Sequence, residues 1–253
     1  MTPPYRYFLI ALVCVFCVIG FAFSNVVLAD GPIDEALQKL NPSVEQKLQH
    51  HFSRAHVAYP PFALTLIANK KEKKMELWAR GSEMDPWTYI RNYRILAASG
   101  VSGPKLKEGD FQVPEGIYPI AYLNPNSRYH LSMKVGYPNA FDLEKAKEEG
   151  RRTLGGDIFI HGNRGSRGCL ALGDKGVESV FAVVARTGAD HTKIVITPND
   201  LRREAPLMNR HSQQIAWINE LYASLKAELD VYSKGKIFQH QASVRGIHSS
   251  PSS

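Results

Sequence analysis

A histidine and a cysteine eight residues apart form the pair in this chain best suited to chemistry. They sit in His161-Gly162-Asn163-Arg164-Gly165-Ser166-Arg167-Gly168-Cys169. A thiol is mostly protonated at neutral pH, and a histidine within hydrogen-bond reach can take its proton and leave a sulfur nucleophile. Three of the seven intervening residues are glycine, so the link is short and pliant enough to fold the sulfur back against the imidazole. Arg164 and Arg167 favour the thiolate where they point inward. Gly168 lets the backbone pass close to a substrate carbonyl, and the amides of Gly168 and Cys169 can donate to an oxyanion. The bland alternative is a buried structural cysteine beside a chance histidine.

The other two cysteines argue against that alternative. Cys14 and Cys17 lie in an uncharged apolar run, Phe8 to Phe23, preceded by Arg6 and followed by Val27-Leu28-Ala29. This pattern predicts an export signal over 1–29, cleaved after Ala29. The run is shorter than the roughly 20 residues of a spanning helix. An uncleaved signal anchor is the alternative, and it is the only membrane contact expected. After cleavage Cys169 is solitary, so it has no internal disulfide partner, and a lone thiol in an oxidising compartment is a liability unless it is buried or reactive. Its loop is rich in Gly and Arg rather than apolar, which favours reactivity. Removing Arg6 from a net charge of +7 leaves +6. A basic exported chain suits an anionic envelope polymer or a membrane surface. Nucleic acid is excluded as a partner by export.

The elements that position the pair follow from periodicity. Residues 30–59 read as an N-terminal helical arm: Ile33, Leu37 and Leu40 share one face, Pro42-Ser43 breaks it, and Val44, Leu48 and Phe52 resume it. The catalytic domain is expected over 60–200. Strands are predicted at 62–68, 75–79, 93–97, 118–122, 131–135, 157–161 and 193–197. Lys70, Lys71, Lys73 and Lys74 read as a solubilising hairpin tip. Residues 142–152 are charged and predict a surface loop or short helix. Asp174 is placed to cap a helix running to Arg186, which Gly188 ends. A C-terminal helix is expected within 201–233, with Ile215, Ile218, Tyr222, Leu225 and Leu229 on its docked face over 211–231. Residues 234–253 read as a disordered basic tail. His50, His51 and His56 have no acidic or cysteine partner nearby, and no metal is expected.

Several ordered motifs resemble the L,D-transpeptidase (YkuD-like) catalytic domain. Ile160-His161-Gly162 followed by Ser166-Arg167-Gly168-Cys169 resembles its His-Gly, spacer, Ser-x-Gly-Cys pattern. Gly103-Pro104-Lys105, Glu108-Gly109-Asp110 and Pro114-Glu115-Gly116-Ile117-Tyr118-Pro119-Ile120 resemble its upstream region. Asn124 to His130 and Tyr137 to Asp142 resemble its substrate-side strand and loop. The short His-to-Cys spacer resembles the periplasmic branch that includes the murein–lipoprotein amidase. The resemblance implies an α+β, mainly β fold: a mixed β-sandwich with a helix after the catalytic loop and terminal helices. It implies that Cys169 attacks the carbonyl after the L-centre of meso-diaminopimelate in a peptidoglycan stem peptide, with His161 as base and then acid and no cofactor. A carbonyl near Gly162, or the Ser166 side chain, orients the imidazole. The acceptor of the thioester is a second stem-peptide amine or water.

Two departures bear on that last choice. Arg167 stands where many members have histidine, and Ala171 where many crosslinking members have arginine. The amidase-like branch tolerates both, so hydrolysis that trims stems or releases murein-linked lipoprotein stays beside transfer. Arg167, Arg128 and Tyr129 are candidate substrate contacts. His130 is either another such contact or a structural hydrogen-bonder. Two other function classes remain. A non-catalytic wall-binding scaffold predicts an unreactive thiol. A zinc peptidase using His161, Cys169 and His130 lacks a recognisable ligand spacing.

Overall fold

The run from Ala63 to Asn69 is apolar at nearly every position, where a half-exposed strand would alternate. A computed structural model, which describes residues 31–233, explains why. All seven residues are buried as β1 (Ala63–Asn69), because both faces of the strand are covered. Leu64, Leu66 and Ala68 face one apolar cluster, while Ile67 faces a second. The expected export segment and the basic tail lie outside the described residues.

β1 pairs antiparallel with β2 (Lys74–Arg80), and β2 with β3 (Thr88–Arg94). On its other side β1 runs parallel to β9 (Thr192–Thr197). β9 in turn pairs with the start of β5 (Gly116–Ser127). β5 is shared: residues 116–119 pair with β9, while its later residues pair with β6 (His130–Val135). From β6 the sheet continues through β7 (Phe159–His161), the parallel β8 (Leu170–Ala171) and the short β4 (Ala97–Ala98). The outermost strands, β3 and β4, are consecutive in sequence, with only Ile95 and Leu96 between them. Three Cα steps reach roughly 10 Å. The sheet must therefore curl until its two ends meet. The backbone shows this directly: the Ile95 amide bonds to Lys73 O at the β2 end, and the next amide, Leu96, bonds to Ala171 O in β8. The architecture is α+β, a mixed and strongly curled sheet with helices on it.

The helices account for the two clusters. α4 (Asp174–Thr187) buries Val177, Val180, Phe181 and Val184, but also Ala182 and Val183 on other sides. A helix apolar almost all round needs a second cover, and α2 (Pro42–Arg54) supplies it through Leu48 and Phe52. α1 (Pro32–Lys39) packs against the same cluster at β5 through Ile33, Ala36 and Leu37. On the opposite sheet face α5 (Ile218–Leu229) buries Leu221, Tyr222, Leu225 and Leu229 against Ile67, Trp78 and Val195. The C-terminal helix was expected to start near 211. It starts at Ile218, because Asn209 Oδ1 accepts the amides of His211 and Ser212 and bends the chain into a separate 3₁₀ turn. The strand expected at 93–97 is likewise displaced to 88–94.

One correction concerns charge, and one charged stretch takes the helical of its two expected forms. The lysine run is not all solvated: the Lys70 ammonium is buried on Glu115 Oε1 at 2.9 Å and on the carbonyls of Gly103 and Val113. Glu115 is fully buried and also accepts from the Gly103 amide and the Tyr222 hydroxyl. The charged stretch expected at 142–152 forms α3 (Ala140–Glu148), opened by a capping box between Asn139 and Asp142. Burial raises the Asp142 carboxyl to about 6 from an ordinary 3.8. The folded state thus holds this proton more tightly than the unfolded chain. Its stabilising contribution is complete below pH 4 and is lost as pH rises through 6, at a cost of roughly 3 kcal/mol. An Asp142→Asn protein should lose that decline, read as urea midpoints at pH 4 and pH 7. An equal decline in both proteins would refute the assignment.

Candidate active site

The sheet brings the histidine and the cysteine together. β7 and β8 are parallel neighbours in the register Ile160↔Leu170 and His161↔Ala171. Side chains alternate between faces along each strand. Cys169, one residue before β8, therefore shares a face with Phe159 and His161 and sits diagonally across from the imidazole. His161 is buried, and its Nδ1 lies 2.5 Å from Gly162 O. A carbonyl only accepts, so Nδ1 carries the proton and Nε2 is left with its lone pair. Burial lowers the imidazole pKa, and the Gly162 carbonyl partly offsets this. The Tyr129 ring covers the imidazole, with centroids 4.7 Å apart.

The thiol loop is fixed by contacts that need its glycines. A Cβ on Gly162 would come within 2.5 Å of Tyr129 O and 2.7 Å of Asp174 Oδ1. Gly168 has φ +95°, the left-handed region that L side chains disfavour. Asp174, expected as a helix cap, makes no cap bond; its Oδ1 accepts the Asn163 amide at 2.7 Å and holds the loop's first half. Ser99 holds the second half. Its Oγ accepts the Gly168 amide at 2.6 Å, donates to Phe111 O at 2.7 Å and lies 3.0 Å from Ser166 Oγ. Ser166 Oγ is 2.7 Å from Cys169 O. Ser166 therefore clamps the loop, and the imidazole is oriented by the Gly162 carbonyl. Because the Gly168 amide is taken by Ser99, an oxyanion role for Gly168 is lost in this arrangement.

The sulfur is half-buried and bonds to Asp157 O at 3.6 Å rather than to the imidazole. Burial pushes the Cys169 thiol up; the Phe159 amide opposes this, nearby Asp157 raises it further, and Lys105 lowers it. Arg164 and Arg167 are exposed and do not supply the inward positive charge expected of them. Both shifts favour a neutral thiol beside a neutral imidazole at rest, and the condition that Arg164 and Arg167 point inward to favour the thiolate is not met. Iodoacetamide labelling of Cys169 should accelerate about tenfold per pH unit between pH 7 and 9, tracking the thiolate fraction. A plateau reached below pH 7 would contradict the raised thiol.

The remaining candidates divide. Arg128 and Tyr129 form the exposed tight turn between β5 and β6, and of the two it is Tyr129 whose ring lies on the imidazole. Arg167 is exposed on the thiol loop. His130 is committed to α4: its Nε2 is 2.8 Å from Glu178 Oε1, which anchors the turn that carries Tyr129. Sequence reading missed Ser99, Lys105 and Asp157. Ser99 follows two alanines with nothing local to mark it, and Lys105 reaches the site only by folding of the 101–115 loop. Lys105 Nζ bonds to Asp110 Oδ1 at 2.5 Å.

Comparison with known proteins gives the family of this chain. YafK of Escherichia coli strain K12, which carries the L,D-transpeptidase name provisionally, is 35% identical over 122 residues, 47% of this chain and 46% of YafK. This chain thus spans about half the length of the curated relatives it matches. Among solved structures, the helical cell shape determining protein Pgp2 from Campylobacter jejuni superposes with a TM-score of 0.44 at 22% identity, covering 75% of this chain and 66% of Pgp2. L,D-transpeptidase 1 of Mycobacterium tuberculosis gives 0.30 at 13% identity, covering 53% and 61%. The family model of the L,D-transpeptidase catalytic domain (YkuD) matches residues 64–196, from β1 through the histidine and cysteine to β9. That span is more than half of the 253 residues, and the chain belongs to the L,D-transpeptidase catalytic domain family.

Proposed function

We propose that this protein is a periplasmic enzyme that acts on peptidoglycan stem peptides through a thioester at Cys169. One observation carries the reading. Cys169 and His161 share a face of adjacent parallel strands, with the imidazole Nδ1 held by a carbonyl and Nε2 left as the basic atom. As the sulfur attacks the carbonyl after the L-centre of meso-diaminopimelate, the thiol proton passes to His161 Nε2. The lowered imidazole pKa keeps that nitrogen unprotonated at neutral pH beforehand. Negative charge on the tetrahedral oxygen falls to the Cys169 amide, since Ser99 takes the neighbouring Gly168 amide. Collapse breaks the carbon–nitrogen bond, and His161 returns the proton to the leaving amine. A second stem-peptide amine then gives transfer, and water gives hydrolysis.

Hydrolysis is favoured as a second reading by Ala171. It is fully buried beside His161 in the sheet, so no cation stands two residues after the nucleophile to hold an incoming strand. Purified protein incubated with muropeptides and with lipoprotein-linked murein separates the outcomes by mass spectrometry. Dimers joined between two diaminopimelate residues establish transfer; shortened stems or released lipoprotein establish hydrolysis. Neither product from either substrate would remove the proposal.

A further inference from the structure

We propose that a basic cleft beside the thiol loop holds free carboxylates of a peptidoglycan strand other than the segment that meets Cys169. This rests on the reading of peptidoglycan as substrate. The cleft, of about 810 Å³, opens between the start of α2, the end of β3 and the first turn of α4; neither Cys169 nor His161 lines it. Four cations do: Lys47, Arg91, Arg94 and Lys175. None of the four has a carboxylate within ion-pairing distance among the described residues, although the rest of the fold pairs its lysines and arginines freely. Arg91 stacks on the Tyr93 ring at 4.6 Å, and its Nε is buried without a hydrogen-bond partner.

The two acids in the cleft are already engaged. Asp174 accepts the Asn163 amide and Glu178 bonds to His130. Net positive charge is therefore left facing the space. Gly173, the N-cap of α4, supplies no side-chain cap, so the positive end of a 14-residue helix adds to it. These features suit a carboxylate-rich ligand. Stem peptides carry such groups, and the site is joined to the thiol loop through Asp174, which touches both. A strand seated here would lie next to the loop that holds Cys169, as a second strand must for transfer or as a guide for hydrolysis.

The test uses full-length Cys169→Ala protein, which cannot turn over, in co-sedimentation with purified peptidoglycan sacculi. Adding Arg94→Glu and Lys175→Glu should weaken binding about tenfold and flatten its dependence on salt. In the Cys169 background the same double variant is mixed with a carbapenem, and formation of the thioester adduct by mass shows that fold and thiol loop are intact. Unaltered sacculus binding by the double reversal, with the adduct present, overturns this proposal alone. Absence of the adduct from the otherwise unaltered protein overturns the thioester reading and this proposal with it. Phosphatidylglycerol vesicles form a parallel arm. If the reversals abolish vesicle binding while sacculus binding persists, the cleft belongs to a lipid surface and the proposal is wrong.

Discussion

A Cys169→Ala protein is expected to form no thioester and to lose turnover of stem peptides by on the order of 10⁴-fold or more, the scale on which enzymes lose a covalent nucleophile. The loss is large because nothing nearby can substitute: Cys169 is the only cysteine among the described residues. His161→Ala should cost nearly as much. Burial raises the thiol, so a sulfur without a base is almost wholly protonated at neutral pH. The two losses should not add, since base and nucleophile act in one step. The measurement is muropeptide turnover with mass detection of the acylated protein. Turnover by Cys169→Ala near the unaltered rate would leave the sulfur without a catalytic role.

The largest effect on stability is expected at Glu115. Its carboxylate is fully buried and serves Lys70, the Gly103 amide and Tyr222 at once. Those three lie on the β1–β2 turn, the 101–115 loop and α5, so one side chain ties three separate parts of the fold to the sheet. Replacing it with alanine strands a buried ammonium, for which the usual cost is about 3–5 kcal/mol. That is a large share of the roughly 5–15 kcal/mol that holds a domain together. Burial already lowers the Lys70 pKa despite the carboxylate. The Glu115→Ala protein should therefore unfold at a much lower urea concentration. Pairing it with Lys70→Met should restore part of the loss, because the stranded charge goes too. A single variant within 1 kcal/mol of the original, by order of magnitude, would show that the cluster contributes little.

Much of the architecture was legible along the chain because it rests on local pattern. Apolar periodicity marked α2 and α4, and alternation marked β2 and β6, since apolar residues recur in each at the period of the element. The export-like run, the solitary thiol and the eight-residue spacing to His161 were also plain, and they directed attention to a cysteine nucleophile. What the sequence left open needed distant contacts. Arg164 and Arg167 looked like activators because loop residues near a thiol can point either way; only the fold turns them to solvent. Ser99 is 67 residues from Ser166 and 69 from Gly168, and only the curl of the sheet places their polar atoms together. Asp174 looked like a cap by position, yet a free amide in the thiol loop claimed it. The linear chain thus determined which groups are present and which segments bury an apolar face, because those depend on neighbours a few residues away. Tertiary structure alone decided which donors are already taken, and in which direction the thiol and imidazole pKa values move. Burial and long-range hydrogen bonds set that balance, and neither exists until the sheet closes.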